Sequence, residues 1–218
     1  MKTIYITFLV FFALTLTVNG QEKSRREKQG DKYAFKYAFQ KAIDKYVSVK
    51  ELTPEGKRSL AESYKIIEQN KMAETIYAEL IASKNVVINE DYYSYATILK
   101  SNGKIKESNA IMDQFVRLAP NDLRGKSYVA NKETLGTLQS DLGNYTILKL
   151  DINTDESDFG TTYYKDKIVY SSNNRTSVVP KRTYNWTGKP FLNLYVADVK
   201  DGQLENPEIF DKNMKSKM

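Results

Sequence analysis

The stretch Asp91–Pro120 decides the fold class of the chain, and its sequence is DYYSYATILKSNGKIKESNAIMDQFVRLAP. Its first half places side chains at i, i+3, i+4 and i+7 on one apolar helix face, namely Tyr92, Tyr95, Ala96 and Leu99. Asn89 is predicted to cap this helix, and Asn102-Gly103 predicts a left-handed stop. A second apolar face then runs as far as Pro120 and consists of Ile105, Ser108, Met112 and Phe115. The stretch therefore predicts a hairpin of two antiparallel helices.

The same pattern occurs 35 residues earlier, which indicates an internal repeat. The equivalent positions are Ala61 and Ala96, Tyr64 and Leu99, Ala73 and Ser108, Tyr77 and Met112, and Leu80 and Phe115. Thr53-Pro54-Glu55 predicts the start of the earlier first helix, with a capping threonine and a proline in the first turn. Residues 55–123 are therefore predicted to contain two helical repeats.

The preceding segment, residues 21–54, is basic and helix-prone. One apolar face is predicted here opposite a row of lysines, and it consists of Tyr33, Tyr37, Ile43, Tyr46 and Val49. Ala42, Tyr46 and Val49 also match part of the repeat, which favours a half repeat at the start of a solenoid. The alternative is a basic amphipathic helix that binds phosphates or lipid head groups.

The second helix of the hairpin resembles the second helix of a tetratricopeptide (TPR) repeat, in register at Gly103, Ser108, Met112, Phe115 and Pro120. The resemblance implies a solenoid whose concave face binds partners through first-helix residues that point away from the hairpin seam. By position, these partner-binding residues are Arg58, Glu62 and Lys65 in one repeat and Tyr93, Thr97 and Lys100 in the other. Plain solvent exposure is the alternative for each of them.

The composition excludes several classes of enzyme. The chain has 218 residues without cysteine or histidine, which removes thiol nucleophiles, Ser-His-Asp triads, Cys/His zinc sites and disulfide frameworks. No spacing of carboxylates, lysines or tyrosines indicates catalysis, so no catalytic residue, metal ligand or cofactor is predicted. The net charge of +6 is spread among interspersed acids, which argues against a nucleic-acid partner.

Residues 1–20 have the features of a secretory signal peptide. Lys2 provides a short positive region, Ile4–Val18 is apolar, and small residues at the end offer a cleavage site before Gln21. The alternative is a retained membrane anchor, but this apolar run of about 15 residues is shorter than the roughly 20 that span a bilayer. We therefore expect an exported protein without a transmembrane helix in its mature chain.

The sequence pattern changes from a helical to a strand-like period near residue 144. Residues 124–143 are polar without sustained periodicity, which predicts a linker with at most one short helical turn. Three strand-like runs follow, and their sequences are YTILKLDI, FGTTYYKDKIVYSSN and LNLYVADVKDGQLENPEIF. Lys165-Asp166 and Asp201-Gly202 are predicted to be the tips of antiparallel hairpins.

The pattern FG…IVYSS…LYVA between Phe159 and Ala197 resembles a WD40-like (PD40) propeller blade. The resemblance implies that residues 144–218 begin a β-propeller after the helical solenoid. A blade takes about 40–45 residues and closure needs at least four blades, whereas 74 residues follow from Tyr145 onward. We therefore expect the sequence to be the truncated N-terminal part of a longer protein. The alternative is a small α+β unit in which the sheet packs on the solenoid.

A basic loop at residues 173–190 interrupts this blade and carries the sole tryptophan of the chain, Trp186. Arg182 and Lys189 lie close to it in sequence, so an exposed indole with these cations is a candidate contact for a glycan or an anionic polymer. The alternative is that Trp186 plugs the end of the propeller.

The order of leader, TPR-like repeats and PD40-like sheet resembles the exported OmpA-family proteins of the Bacteroidota, including the PorE-type component of the type IX secretion apparatus. The resemblance implies a non-catalytic scaffold that binds other envelope proteins in the periplasm and is associated with the outer membrane. It assigns peptidoglycan binding to a C-terminal OmpA-like domain that is missing from this sequence.

Three other functions stay open from the sequence. The chain is alternatively a carbohydrate-binding or cell-wall-binding module that uses Trp186, or the accessory N-terminal region of an exported hydrolase, because PD40 blades are often appended to peptidases. A eukaryotic secreted protein is a third alternative, since sequons occur at Asn144, Asn174 and Asn185. The absence of disulfide cysteines argues against this last one.

Overall fold

The computed structural model describes residues 22–83, 87–140, 147–174 and 183–210, with the backbone alone at 133–140. The chain divides into two compact units, Met1–Pro120 and Asn121–Met218. The predicted signal peptide lies outside the described residues. Among the helices that are described, none combines the length and the apolar character that crossing a membrane requires.

The first unit is an array of three helical hairpins. The six helices are α1 (Arg25–Phe35), α2 (Phe39–Val47), α3 (Pro54–Ile66), α4 (Asn70–Ala82), α5 (Asn89–Ser101) and α6 (Ile105–Leu118). Each helix packs against the next one along the chain, and α1 also contacts α3. This stacking of successive hairpins is the architecture of a TPR-like solenoid.

The ten positions that define the predicted repeat are all buried: Ala61, Tyr64, Ala73, Tyr77, Leu80, Ala96, Leu99, Ser108, Met112 and Phe115. The five positions of the earlier repeat belong to one core cluster that runs from Ala42 in the first hairpin to Ile98 in the third. Ser108 satisfies its buried hydroxyl by donating to the carbonyl oxygen of Ala96 at 2.7 Å. The burial pattern therefore confirms the repeat register that the sequence predicts.

The basic N-terminal segment is a complete helical hairpin and not a single helix or half a repeat. Gly30 and Ala42 are buried at its seam, and they lie 31 residues before Ala61 and Ala73. A Cβ atom at Gly30 would lie 2.5 Å from the Tyr46 ring, so this seam has no room for a larger residue. The prediction of one continuous apolar face was wrong because the chain reverses at Tyr37, whose side chain is exposed.

A residue in the left-handed conformation reverses the chain in each hairpin. Tyr37, Glu68 and Gly103 have φ angles of 55°, 64° and 77° at equivalent positions of the three turns. In each turn the following amide donates to the carbonyl oxygen five residues earlier: Ala38 to Tyr33 at 3.0 Å, Gln69 to Tyr64 at 2.9 Å and Lys104 to Leu99 at 2.9 Å. The Asn102-Gly103 stop is thus confirmed, and the other two turns have the same hydrogen bonds without a glycine.

Side chains cap the first helices of the hairpins. Ser24 accepts from the Glu27 amide at 3.2 Å, and Thr53 accepts from the Gly56 amide at 3.0 Å, as the Thr53-Pro54-Glu55 pattern predicts. The predicted cap at Asn89 is wrong, because α5 already begins at that residue. The Asp91 carboxylate instead accepts from the Ile88 amide at 2.9 Å and satisfies the start of α5.

The second unit begins with α7 (Leu123–Ser140), an 18-residue helix in a segment where the sequence predicts at most one helical turn. Asp122 explains part of this difference, since its carboxylate accepts from the Arg124 amide at 2.9 Å and also pairs with the Arg124 guanidinium. Together, these contacts hold the pKa of Asp122 at about 2, below its ordinary value of 3.8.

A four-stranded antiparallel sheet follows, with its strands in sequence order. The strands are β1 (Asp158–Tyr164), β2 (Lys167–Ser172), β3 (Asn193–Lys200) and β4 (Gln203–Ile209). Its small core contains Tyr170, Tyr195, Ala197 and Leu204. Tyr170 and Tyr195 face each other across β2 and β3, with their ring centroids 5.7 Å apart. The predicted tips at Lys165-Asp166 and Asp201-Gly202 are confirmed.

The first predicted strand is absent from the part of YTILKLDI that the structure describes. Residues 147–152 form an extended connection and a turn rather than a strand of the sheet. Ile147 is 93% exposed, whereas Leu150 and Ile152 pack against the sheet core. The alternating apolar residues at 147–152 therefore do not pair as a β-strand, because only Leu150 and Ile152 pack against the sheet.

Candidate functional site

The helical unit contains an open groove of about 430 Å³. The first helix of each hairpin, α1, α3 and α5, contributes residues to it, as do the start of α2 and the middle of α4. The lining residues are Ala34, Phe39, Arg58, Ser59, Glu62, Ser63, Lys65, Tyr77, Ile88, Glu90, Asp91 and Ser94.

Arg58 and Asp91 form the most buried charged contact of the groove. The guanidinium Nε and Nη2 donate to the two carboxylate oxygens at 2.8 and 2.9 Å, and the side chains are 19% and 3% exposed. The hydrogen bond to Asp91 raises the pKa of Arg58 above its ordinary value. The Asp91 carboxylate also accepts from the Ile88 amide at the start of α5. The Arg58–Asp91 pair therefore links α3 of the second hairpin to α5 of the third.

Glu62 is the centre of a second polar contact in the groove. Its carboxylate accepts from Lys65 Nζ at 2.7 Å and from the Tyr77 hydroxyl at 3.3 Å. Burial raises the pKa of Tyr77, and the neighbouring Glu62 carboxylate acts in the same direction. The Tyr77 hydroxyl therefore stays protonated and acts as a donor at the base of the groove.

The predicted partner-binding residues fall into two groups. Arg58, Glu62 and Lys65 line the groove, so the structure brings the three residues of one repeat together. Tyr93, Thr97 and Lys100 are not among its lining residues. The Tyr93 ring lies 5.4 Å from that of Phe115, and the Thr97 hydroxyl donates to the Ser94 carbonyl oxygen at 2.7 Å.

Ala34, Phe39 and Ile88 form an apolar part of the groove that the sequence does not predict. Ala34 and Phe39 belong to the two helices of the first hairpin, which the sequence predicts as a single apolar face. The offset of 31 residues between Gly30 and Ala61 and between Tyr46 and Tyr77 is the signal that reveals this hairpin.

The second candidate site is an aromatic hairpin at residues 183–190 of the second unit. Thr183 and Pro190 form a β-bridge, and the Tyr184 amide donates to the Lys189 carbonyl oxygen at 2.8 Å. The rings of Tyr184 and Trp186 are parallel within 7°, with centroids 6.4 Å apart. Tyr184 also contacts Phe191, with 5.9 Å between ring centroids.

The predicted cations next to Trp186 have different outcomes. Lys189 forms an ion pair with Glu156, with Nζ and Oε2 at 2.8 Å, and this pair fastens the aromatic hairpin to the preceding turn. Arg182 lies outside the described residues. Trp186 itself is half-buried. Across the described ranges, no group of three acidic, cysteine or histidine side chains is arranged to hold a metal ion.

No protein-family model and no curated protein matches this chain. A solved structure described as the first TPR of Spaghetti (RPAP3) bound to the HSP90 peptide SRMEEVD is similar, with 18% sequence identity and a TM-score of 0.46. The similarity covers 56% of this chain and 98% of that chain. The TPR-like character of the helical unit follows from its own repeated seams and turns.

Proposed function

We propose that this protein is a non-catalytic scaffold that binds protein partners through the groove of its helical unit. One observation carries the proposal: residues of all three hairpins line one open groove of about 430 Å³. It combines apolar side chains with hydrogen-bonding groups on a rigid set of packed helices, which is the usual composition of a recognition surface.

We further propose that the protein works in the cell envelope, in the periplasm and in association with the outer membrane. The predicted leader and the resemblance to exported OmpA-family proteins support this location. The four-stranded meander supports a role for the second unit as a PD40-type propeller blade, since such blades consist of four antiparallel strands. Other envelope proteins are then the expected partners.

Site-specific photo-crosslinking tests the scaffold proposal. A photoreactive amino acid replaces Ser59 or Lys65 in the groove, or Thr75 or Glu79 on α4, which do not line it. In cells that carry the full chain, we expect a discrete protein adduct from the two groove probes alone. The substitution Ser59→Trp fills the groove and should abolish the adduct from the probe at Lys65.

Two results would contradict the scaffold proposal. Equal adducts from the groove and from α4 would mean that partners bind elsewhere. An unchanged adduct in the Ser59→Trp variant would mean that the groove is not occupied. Cell fractionation tests the location separately, because an exported chain should be recovered from the envelope with Gln21 as its first residue.

Carbohydrate binding is the second candidate function, and the parallel rings of Tyr184 and Trp186 favour it. Tyr184 is 45% exposed, so part of its ring is available to the apolar face of a sugar. Retention on insoluble polysaccharide should be lost in Trp186→Ala and kept in Tyr163→Ala, which removes an exposed aromatic ring on β1. Equal losses in both variants would point to nonspecific adhesion.

A further inference from the structure

The charges that line the groove do not match the charge of the whole chain. Three carboxylates line it, those of Glu62, Glu90 and Asp91, against the two cations Arg58 and Lys65. Glu55 adds a fourth carboxylate beside the groove, with its Oε1 3.6 Å from the Arg58 guanidinium. The groove therefore carries a local negative charge on a protein whose net charge is +6.

Neither cation of the groove is positioned to receive an anionic ligand. Arg58 donates to Asp91 through Nε and Nη2, and its Nη1 lies 3.6 Å from Glu55. Separating Arg58 from Asp91 would leave a 3% exposed carboxylate without its counterion. Lys65 donates to Glu62 at 2.7 Å. An acidic ligand would have to break one of these pairs and would then face the remaining carboxylates.

A cationic ligand has a simpler route into the groove. The contact of Lys65 with Glu62 is a half-buried pair between residues three apart on one helix, and such local pairs contribute little stability. A ligand ammonium or guanidinium group can replace Lys65 at Glu62, while Lys65 turns to solvent. Arg58 and Asp91 stay paired throughout, so the joint between the hairpins is not disturbed.

The same groove offers an apolar contact beside the carboxylates. Ala34, Phe39 and Ile88 are its apolar lining residues, and Ile88 is 49% exposed. Ser59 lies in the same lining and is half-buried, so its hydroxyl can bond to a peptide backbone, whereas Ser63 and Ser94 are buried. A ligand that fits all three features has a basic side chain, an apolar side chain and an extended backbone.

We infer that the ligand of the groove is an extended peptide segment with lysine or arginine next to an apolar residue, whose cation binds at Glu62. This inference rests on the proposed scaffold function and adds the chemical class of the partner. Glu62 is the specificity-determining residue in this view, and Lys65 acts as a competitor for the same carboxylate.

Two labelled peptides with the same apolar residues test the inference, SKLKVKS and SELEVES. Fluorescence anisotropy with the full chain should give an affinity for the lysine peptide roughly tenfold above that for the glutamate peptide. This preference should fall as salt is raised. Glu62→Gln should weaken the lysine peptide about tenfold, whereas Lys65→Ala should strengthen it because it removes the competing cation.

Glu79→Gln is the matched control, since Glu79 is a carboxylate on α4 that does not line the groove and pairs with Lys57. It should leave both affinities unchanged, and circular dichroism checks that every variant keeps its helical content. Backbone NMR shifts report which residues each peptide touches. The opposite effects of Glu62→Gln and Lys65→Ala distinguish recognition from a general loss of structure.

The outcomes separate this inference from the scaffold proposal. Preference for the glutamate peptide within the groove would overturn the cationic ligand class and leave the scaffold function standing. Equal binding of both peptides, or a lysine preference unaffected by Glu62→Gln, would also overturn it. Lack of binding by either peptide overturns the inference, while the groove crosslinks decide the scaffold function independently.

Discussion

Arg58 on α3 and Asp91 on α5 join two successive hairpins through a bidentate ion pair. The equivalent residue in the first hairpin, 31 positions earlier, is Glu27, which is fully buried and accepts a hydrogen bond from the Thr53 hydroxyl at the start of α3. One helix position thus contacts the start of the next first helix at both joints. Between the first two hairpins, Glu27 accepts at this position from the Thr53 hydroxyl. Between the second and third, Arg58 donates from it to the Asp91 carboxylate.

Arg58→Ala should lower the free energy of unfolding of the helical unit by about 2–3 kcal/mol, because it leaves the buried Asp91 carboxylate without its counterion. Urea unfolding followed by circular dichroism measures this change. Lys65→Ala removes a cation of the same groove from a half-buried pair within one helix, and it should change the unfolding free energy by about 0.5 kcal/mol or less. Similar losses in both variants would show that the Arg58–Asp91 pair has no special role.

The left-handed turns lead to a second prediction. Glu68 adopts a φ of 64°, which costs a residue with a side chain roughly 1–2 kcal/mol. Glu68→Gly should therefore stabilise the protein by about 0.5–1 kcal/mol, the rest being offset by the greater freedom of glycine in the unfolded chain. Thermal unfolding should show a higher midpoint. Gln69→Gly is the control, because its φ of −81° suits any residue and glycine there should destabilise.

The third turn provides the reverse experiment. A Cβ atom at Gly103 meets nothing within 4 Å, so Gly103→Ala adds no steric overlap and changes the backbone preference alone. We expect a loss of about 1 kcal/mol in unfolding free energy. Stabilisation by Gly103→Ala would mean that the left-handed turn is not kept in solution.

Close packing of the first seam leads to a third prediction. Gly30→Ala places a methyl group 2.5 Å from the Tyr46 ring, which cannot move away without losing the hydrogen bond of its hydroxyl to Asp31 at 2.7 Å. The expected cost is about 1–3 kcal/mol of unfolding free energy. In a Tyr46→Leu background the same substitution should cost much less, and the double-mutant cycle measures this coupling. Additive effects would contradict the close contact.

The residues that the sequence predicted well are those whose burial depends on side-chain size. Small residues at Ala61, Ala73 and Ala96 and large residues such as Tyr77 and Phe115 follow directly from the packing of helices at a seam. The same register places Arg58, Glu62 and Lys65, which the sequence predicts as partner-binding residues, along the groove. The pattern repeats in the sequence because equivalent positions of each hairpin are buried in the same way against the neighbouring helices.

The features that the sequence did not predict depend on contacts that lie outside the local pattern. Tyr37 and Glu68 have no preference for the left-handed region, so packing of the two flanking helices imposes their conformation. The α7 helix has no clear apolar face in its sequence, and its start depends on the Asp122 cap, which hydrophobic periodicity does not reveal. Residues 147–152 alternate in polarity like a strand, but only Leu150 and Ile152 contact the sheet core and no strand forms.

Glu74 leads to a prediction on pH dependence. Its carboxylate accepts from Lys104 Nζ at 2.6 Å and from Asn102 Nδ2 at 2.7 Å, which ties α4 to the turn between α5 and α6. The hydrogen bond from Lys104 and that from Asn102 lower the pKa of Glu74 below its ordinary value of 4.5. The folded state therefore favours the charged carboxylate more than the unfolded state does.

The sign of this effect fixes the pH range. The stabilisation from Glu74 should be fully present above pH 4.5, the ordinary pKa, and should be lost as the pH falls through the lowered pKa of the folded state. Urea unfolding between neutral pH and strongly acidic pH should show a smaller decline in unfolding free energy for Glu74→Gln than for the unsubstituted chain. Lys104→Ala should reduce the decline too, because it removes the main cause of the lowered pKa. An undiminished decline in Glu74→Gln would show that this contact does not persist in solution, since the titrating carboxylate is gone and its linkage to folding must go with it.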